Sequence, residues 1–186
     1  MKRSTAVSIA TGAAAAAIGG LFLYSRATRP PVINAKVPEP AKAVDLARYA
    51  GKWFELARHE NKFQKGMDQV TADYALVKGG KVRVVNSGMR AGEVEPTVAS
   101  GQAIVADDAT NAKLKVSFFG PLYTGDYWVL DRGDDYDWSI VGEPTGRYLW
   151  VLGRERKPDP AMLQTLLMKV EALGYDRWAL RITQQG

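Results

Sequence analysis

For metal binding this chain offers one histidine, His59, and 20 carboxylates, and it has no cysteine. The missing thiol removes disulfides, thiolate nucleophiles, cysteine-ligated zinc and a lipidated N-terminal cysteine together. A lone histidine needs carboxylates around it to hold a metal, and no aspartate or glutamate spacing near His59 supplies them. His59 reads instead as a surface residue at a strand end. The acidic run Asp131, Asp134, Asp135 and Asp137 lacks the spacing of a calcium loop and reads as a solvated turn. A Gly-x-Ser-x-Gly elbow, a P-loop and a dinucleotide fingerprint are all absent. These residues predict no metal, no cofactor and no catalytic group, and they turn the question from reaction to binding.

Charge narrows the partners. The sequence pI is near 9.4, but Lys2, Arg3, Arg26 and Arg29 stand in residues 1–31 without a single acid. Setting those four aside leaves 21 basic against 20 acidic residues, too even a balance for a phosphate-binding face, so nucleic acid is excluded as a partner. After Lys2-Arg3, the 22 residues from Ser4 to Ser25 are uncharged and alanine-rich. That is export chemistry, and two versions fit: a signal peptide cut after Ser25-Arg26-Ala27, or an uncleaved anchor, since about 20 apolar residues cross a bilayer. The expected organisation is a signal peptide or membrane anchor over 1–27, a proline-rich linker over 28–43 and one domain over 44–186. Pro30, Pro31, Pro38 and Pro40 forbid helix and central strand in the linker and predict an extended tether.

The elements that would position a binding site are short and mostly β. Eight apolar segments rich in Val, Tyr, Phe and Trp are expected as strands: Lys52 to Arg58, Val70 to Val77, Lys81 to Gly88, Thr97 to Ala106, Lys113 to Phe118, Tyr127 to Asp131, Trp138 to Gly142 and Tyr148 to Arg154. Turn formers punctuate them, among them Gly79-Gly80, Asp107-Asp108 and Gly133-Asp134. Short gaps imply antiparallel neighbours. Asp159 then offers an N-cap and Pro160 a first helical residue, and Met162, Leu163, Leu166, Leu167, Val170 and Leu173 recur at helical spacing up to Gly174. A last strand is expected over Trp178 to Ile182. Eight antiparallel strands and one helix allow a closed barrel or a sandwich; closure removes the sheet edges and leaves an interior that holds one small ligand or is filled by side chains.

Three motifs in order carry a family resemblance. Tyr49-Ala50-Gly51-Lys52-Trp53-Phe54-Glu55-Leu56-Ala57-Arg58 resembles the first lipocalin signature, Thr124-Gly125-Asp126-Tyr127-Trp128-Val129-Leu130-Asp131 the second, and Tyr148-Leu149-Trp150-Val151-Leu152-Gly153-Arg154 the third. With Leu114 to Pro121 they make residues 44–186 similar to the bacterial outer-membrane lipocalins and their apolipoprotein D relatives. The resemblance implies an all-β, eight-stranded antiparallel up-and-down calycin barrel with one C-terminal helix packed outside. It implies a non-enzymatic carrier of fatty acids or lysophospholipids in the cell envelope, periplasmic, membrane-tethered or secreted. A lipocalin-like enzyme acting on a bound lipid and a filled-barrel structural protein are the alternatives.

Site residues follow from the resemblance and from strand parity. Gly51, Trp53, Asp126, Tyr127 and Arg154 are expected to be structural, with Arg154 laid over the Trp53 indole and Gly51 letting the chain cross beneath. If Arg154 points inward, so do Leu152, Trp150 and Tyr148, and the same alternation turns Phe118 inward with Lys113 and Lys115 in water. Val82, Val84 and Asn86 share a face. Inward Gly101 and Ala103 are small and are expected to leave unfilled space. The resemblance places Tyr74, Asn86, Phe118 and Trp150 against the ligand and Arg90 near the mouth; Val84 and Tyr148 join the expected lining by parity. Glu55 is similar to an inward-pointing family position, expected to make a buried polar contact.

Overall fold

The computed structural model describes residues 29–186, so the leader expected over 1–27 lies outside the described residues. Nine strands appear in chain order: β1 (Gly51–His59), β2 (Met67–Val77), β3 (Lys81–Arg90), β4 (Thr97–Val105), β5 (Lys113–Ser117), β6 (Gly125–Arg132), β7 (Trp138–Gly142), β8 (Leu149–Gly153) and β9 (Leu180–Ile182). A one-turn helix α1 (Leu46–Tyr49) precedes β1, and α2 (Pro160–Ala172) follows β8. All pairings are antiparallel; successive strands pair from β1 to β8, and β1 also pairs with β8. That second pairing closes the sheet into an eight-stranded up-and-down barrel, so no long edge is left open. β9 adds to the last residues of β1, with Ala57 opposite Ile182.

Alternation explains the thinner part of the wall. In β5, Leu114 and Val116 face in while Lys113 and Lys115 face out. The outer pair is half-buried rather than fully in water: Lys113 lies 4.3 Å over the Trp128 ring and pairs with Glu39, and Lys115 pairs with Asp126 at 2.6 Å. In β7 and β8 the sequences WSIVG and LWVLG scarcely alternate, because both faces are covered. Val141 and Leu152 pack into the barrel interior, while Ile140, Leu149 and Val151 pack outward with Leu166 and Val170 of α2.

Helix α2 starts and stops where its sequence dictates. The Asp159 carboxylate accepts from the Ala161 N–H at 2.7 Å, Pro160 takes a position needing no donor, and Gly174 at φ +89° turns the chain away. Trp178 belongs not to the last strand but to a 3-10 turn over Arg177–Ala179, capped by the Asp176 carboxylate. Only Leu180–Ile182 pair with β1.

The proline-rich segment is irregular, as its missing donors require, yet it is not a free tether. Ile33 and Asn34 donate to the Gly146 carbonyl, the Asn34 amide donates to Leu173 O, Val37 joins the outer core, and Ala41 donates to Leu130 O. Prolines prevent this stretch from joining the sheet, but its remaining donors and apolar side chains still run along the barrel wall.

Candidate functional site

One end of the barrel is shut. Trp53 is fully buried, its indole N–H donates to Tyr49 O at 2.9 Å, and the Arg154 guanidinium lies 3.8 Å above its ring centroid. The fork of Arg154 donates to the carbonyls of Lys52, Arg48, Tyr49, Ala50 and Tyr136. Arginine thereby ties α1 across the barrel floor and satisfies the carbonyls that the sharp turn exposes. Gly51 makes the turn possible: its φ is +93°, and a Cβ there would stand 3.4 Å from the Arg154 guanidinium.

Above the floor sits a tier of tyrosines. The Tyr127 hydroxyl donates to Tyr74 at 3.1 Å, and the Tyr49 hydroxyl lies 2.9 Å from both Tyr127 and Ser139. Burial pushes all three phenols up, Tyr49 to about 12, against the downward pull of its Ser139 and Tyr127 hydrogen bonds. The lower barrel is thus filled by its own side chains. Asp126, next to this tier in sequence, faces out to Lys115 and acts on the wall alone.

Higher up, the inner face opens progressively. Along β3, Val82 and Val84 are buried and Asn86 half-buried; along β4, Ala103 is buried, Gly101 half-buried and Ala99 exposed. Leu114 is buried, Val116 half-buried and Phe118 is 37 % exposed; Leu152 is buried while Trp150 and Tyr148 are half-buried. Asn86 and Ala99 are paired across β3 and β4, so they mark the same height. The Asn86 Oδ1 is buried with no hydrogen-bond partner, an inner-wall acceptor of the kind a polar ligand group satisfies. Tyr148 and Trp150 stack at 5.8 Å with ring planes 11° apart, a flat aromatic wall near the mouth. Arg90 ends β3 at that mouth, donating to Thr97 Oγ1 and Phe63 O.

The space opposite Gly101 is not empty. A Cβ on Gly101 would meet Ser117 O at 2.5 Å and the Phe118 ring at 2.8 Å. Glycine there makes room for an aromatic side chain from the neighbouring strand. Phe118 thus occupies the room that Gly101 leaves.

Two polar residues are placed otherwise than the sequence suggests. His59 ends β1 as expected but is buried, and its Nδ1 is hydrogen-bonded to the Arg147 carbonyl because the β7–β8 connection closes over it. Glu55 is more than a buried contact: its carboxylate accepts from Arg58 at 2.6 Å, from Thr183 at 2.6 Å and from Gln64 at 2.7 Å. Burial pushes the Glu55 carboxyl up, opposed by the Arg58 charge and these donors. Gln64 in turn accepts from the Trp150 indole N–H at 2.8 Å, so the network reaches the inner wall. No periodicity marks Gln64, which lies in the β1–β2 connection. Among the described residues no cluster of three metal-ligating side chains exists, and Asp134 and Asp135 are exposed in the β6–β7 turn, with Asp134 paired to Lys42 at 2.9 Å.

A shut floor, a polar-lined tyrosine tier and an apolar upper wall in a closed up-and-down barrel define a lipocalin. The lipocalin-like domain family matches residues 44–185, and the chain belongs to that family. It is 37 % identical over 154 residues to the outer membrane lipoprotein Blc of Vibrio cholerae, covering 80 % of this chain and 89 % of that one. Apolipoprotein D of Cavia porcellus is 30 % identical over 158 residues, with 81 % and 77 % covered. Insecticyanin of Manduca sexta shares the fold with a TM-score of 0.64 at 21 % identity, over 83 % of this chain and 89 % of that structure.

Proposed function

We propose that this barrel binds a fatty acid or lysophospholipid in the bacterial cell envelope, its acyl chain against the inner wall and its headgroup at the mouth. The observation that carries the reading is the gradient of burial along four inner strand faces, from Val84, Ala103, Leu114 and Leu152 near the floor to Ala99, Phe118 and Trp150 above. A barrel plugged by its own side chains would be buried at every height. Each methylene moved onto such a wall contributes about 0.8 kcal/mol, so a long chain binds well without any charged contact. Tyr74, Val84, Asn86, Phe118, Tyr148 and Trp150 line the route, and Arg90 stands where a carboxylate or phosphate emerges.

The envelope setting rests on the uncharged stretch Ser4 to Ser25 behind Lys2-Arg3 and on the Vibrio relative, an outer membrane lipoprotein by name. This chain has no cysteine to lipidate, so the leader itself is the membrane attachment in this reading. Carriage, not turnover, is the activity in this reading, which the match to the lipocalin-like family supports. Titrating the full-length chain with palmitate while following tryptophan emission tests it. Saturable quenching that is lost in Trp150→Ala is expected, and a linear, unsaturable response shared by both proteins would contradict it.

A further inference from the structure

The two ends of the barrel differ in what they show to solvent. At the open end, Phe63 in the β1–β2 connection is 61 % exposed, Val94 in the β3–β4 connection 92 %, and Phe119 and Leu122 in the β5–β6 connection 88 % and 70 %. The closed-end connections carry Gly79-Gly80, Asp107-Asp108 and Asp134-Asp135 at their tips, and among the described residues none of them has an exposed large apolar side chain. Large exposed apolar groups on three connections of one end mark an interaction surface, while the closed end shows only Leu76 and Val77 at the end of β2, 46 % and 37 % exposed.

We propose that this rim seats on the surface of a phospholipid bilayer, with the barrel mouth facing the lipid. The inference rests on the carrier reading and adds where cargo is exchanged. Three features favour lipid over a protein surface. The apolar tips stand on three separate connections around an opening, so a rigid partner would have to match a ring with a hole, whereas a fluid interface conforms to it. Lys62 and Lys65 are exposed on either side of Phe63, where ammonium groups meet headgroup phosphates as the ring inserts. The third feature is where the chain leaves the domain. Ile33 and Asn34 are fastened to Gly146 in the β7–β8 connection, at the open end, and only Arg26 to Val32 separate Ile33 from the uncharged stretch ending at Ser25. Seven residues reach roughly 25 Å at most. The open end is therefore where the domain's first fastened residues lie, the nearest in sequence to the leader. An apolar ligand then passes between bilayer and barrel without crossing water.

The absence of native cysteine makes the test clean. Full-length Phe119→Cys, Leu122→Cys and Asp108→Cys proteins, each carrying an environment-sensitive fluorophore, are mixed with phosphatidylethanolamine/phosphatidylglycerol vesicles. Blue-shifted, brighter emission at 119 and 122, quenched by lipids spin-labelled high on the acyl chain, is expected, with the label at 108 unchanged. A label at Phe63→Cys should return to its aqueous emission when Phe119→Glu and Leu122→Glu are added. Labels at 119 and 122 that stay aqueous beside vesicles, or that respond no more than the label at 108, overturn the proposal, whether a protein or nothing covers the rim. Palmitate titration of the Phe119→Glu/Leu122→Glu protein without vesicles keeps the two readings apart. Binding there as in wild type, in a protein whose rim no longer enters the bilayer, supports docking as a separate property. Failure of all palmitate binding removes the carrier reading while the label depths still decide docking.

Discussion

The indole N–H of Trp150 donates to Gln64 Oε1 at 2.8 Å, and the same amide donates through Nε2 to Glu55 Oε2 at 2.7 Å. One loop side chain thus links the inner wall of the barrel to a fully buried ion pair, Glu55 with Arg58. The arrangement fixes the β1–β2 connection against the barrel and orients the Trp150 ring.

Gln64→Leu keeps the volume but removes both links. The Trp150 N–H loses its acceptor and Glu55 loses a donor, a cost of about 1–3 kcal/mol. Urea unfolding of the variant checks the figure, and hydrogen exchange should quicken in residues 60–66 before it does in the strands.

Glu55 gives stability a pH signature. Its folded pKa is raised, by burial above all, so the native state holds this proton more tightly than the unfolded chain. The contribution is full below the unfolded value, near 4.3, and is lost as pH rises through the folded one. Glu55→Gln lacks this titration. Its stability relative to wild type should therefore fall between pH 7 and pH 4.5, read by urea unfolding at both; a relative rise would mean that Arg58 depresses the carboxyl.

Arg154→Lys retains the charge over Trp53 and loses the fork. A single ammonium cannot serve the carbonyls of Arg48, Tyr49, Ala50, Lys52 and Tyr136 together. About 2–3 kcal/mol of stability should go, counting charged hydrogen bonds at about 1.5–3 kcal/mol each with partial replacement by water. Palmitate affinity should be unchanged, since the floor lies below the tyrosine tier. Thermal unfolding with and without ligand separates the two effects.

Leu166→Ala tests the outer core in the same way. Leu166 is 1 % exposed between α2 and the barrel wall, so the variant should lose about 2–5 kcal/mol without altering ligand affinity.

Strand positions, the capped helix and the inward parity of Trp150, Leu152 and Phe118 were readable in the sequence because each rests on local periodicity or capping. What escaped depends on partners distant in the chain. Gln64 sits in an aperiodic loop and gains its meaning from Glu55 and Trp150. His59 looks like a strand-end surface residue until the Arg147 carbonyl covers it. Gly101 suggests space until Phe118 arrives from the next strand. Residues 28–43 read as a tether because proline excludes regular structure, and no pattern in them announces Gly146, Leu173 or Leu130 as partners of Ile33, Asn34 and Ala41.

An upper barrel that is apolar and only partly occupied is the condition for everything else. Calorimetric titration of palmitate into wild type and Ala99→Trp, whose new ring would stand beside Asn86 on the upper wall, tests it directly. Wild type should bind an equimolar amount with a negative heat-capacity change, and Ala99→Trp should fold with an unchanged far-ultraviolet spectrum and take up no ligand. Equal binding by both proteins, or none by wild type, would contradict a ligand held inside the barrel.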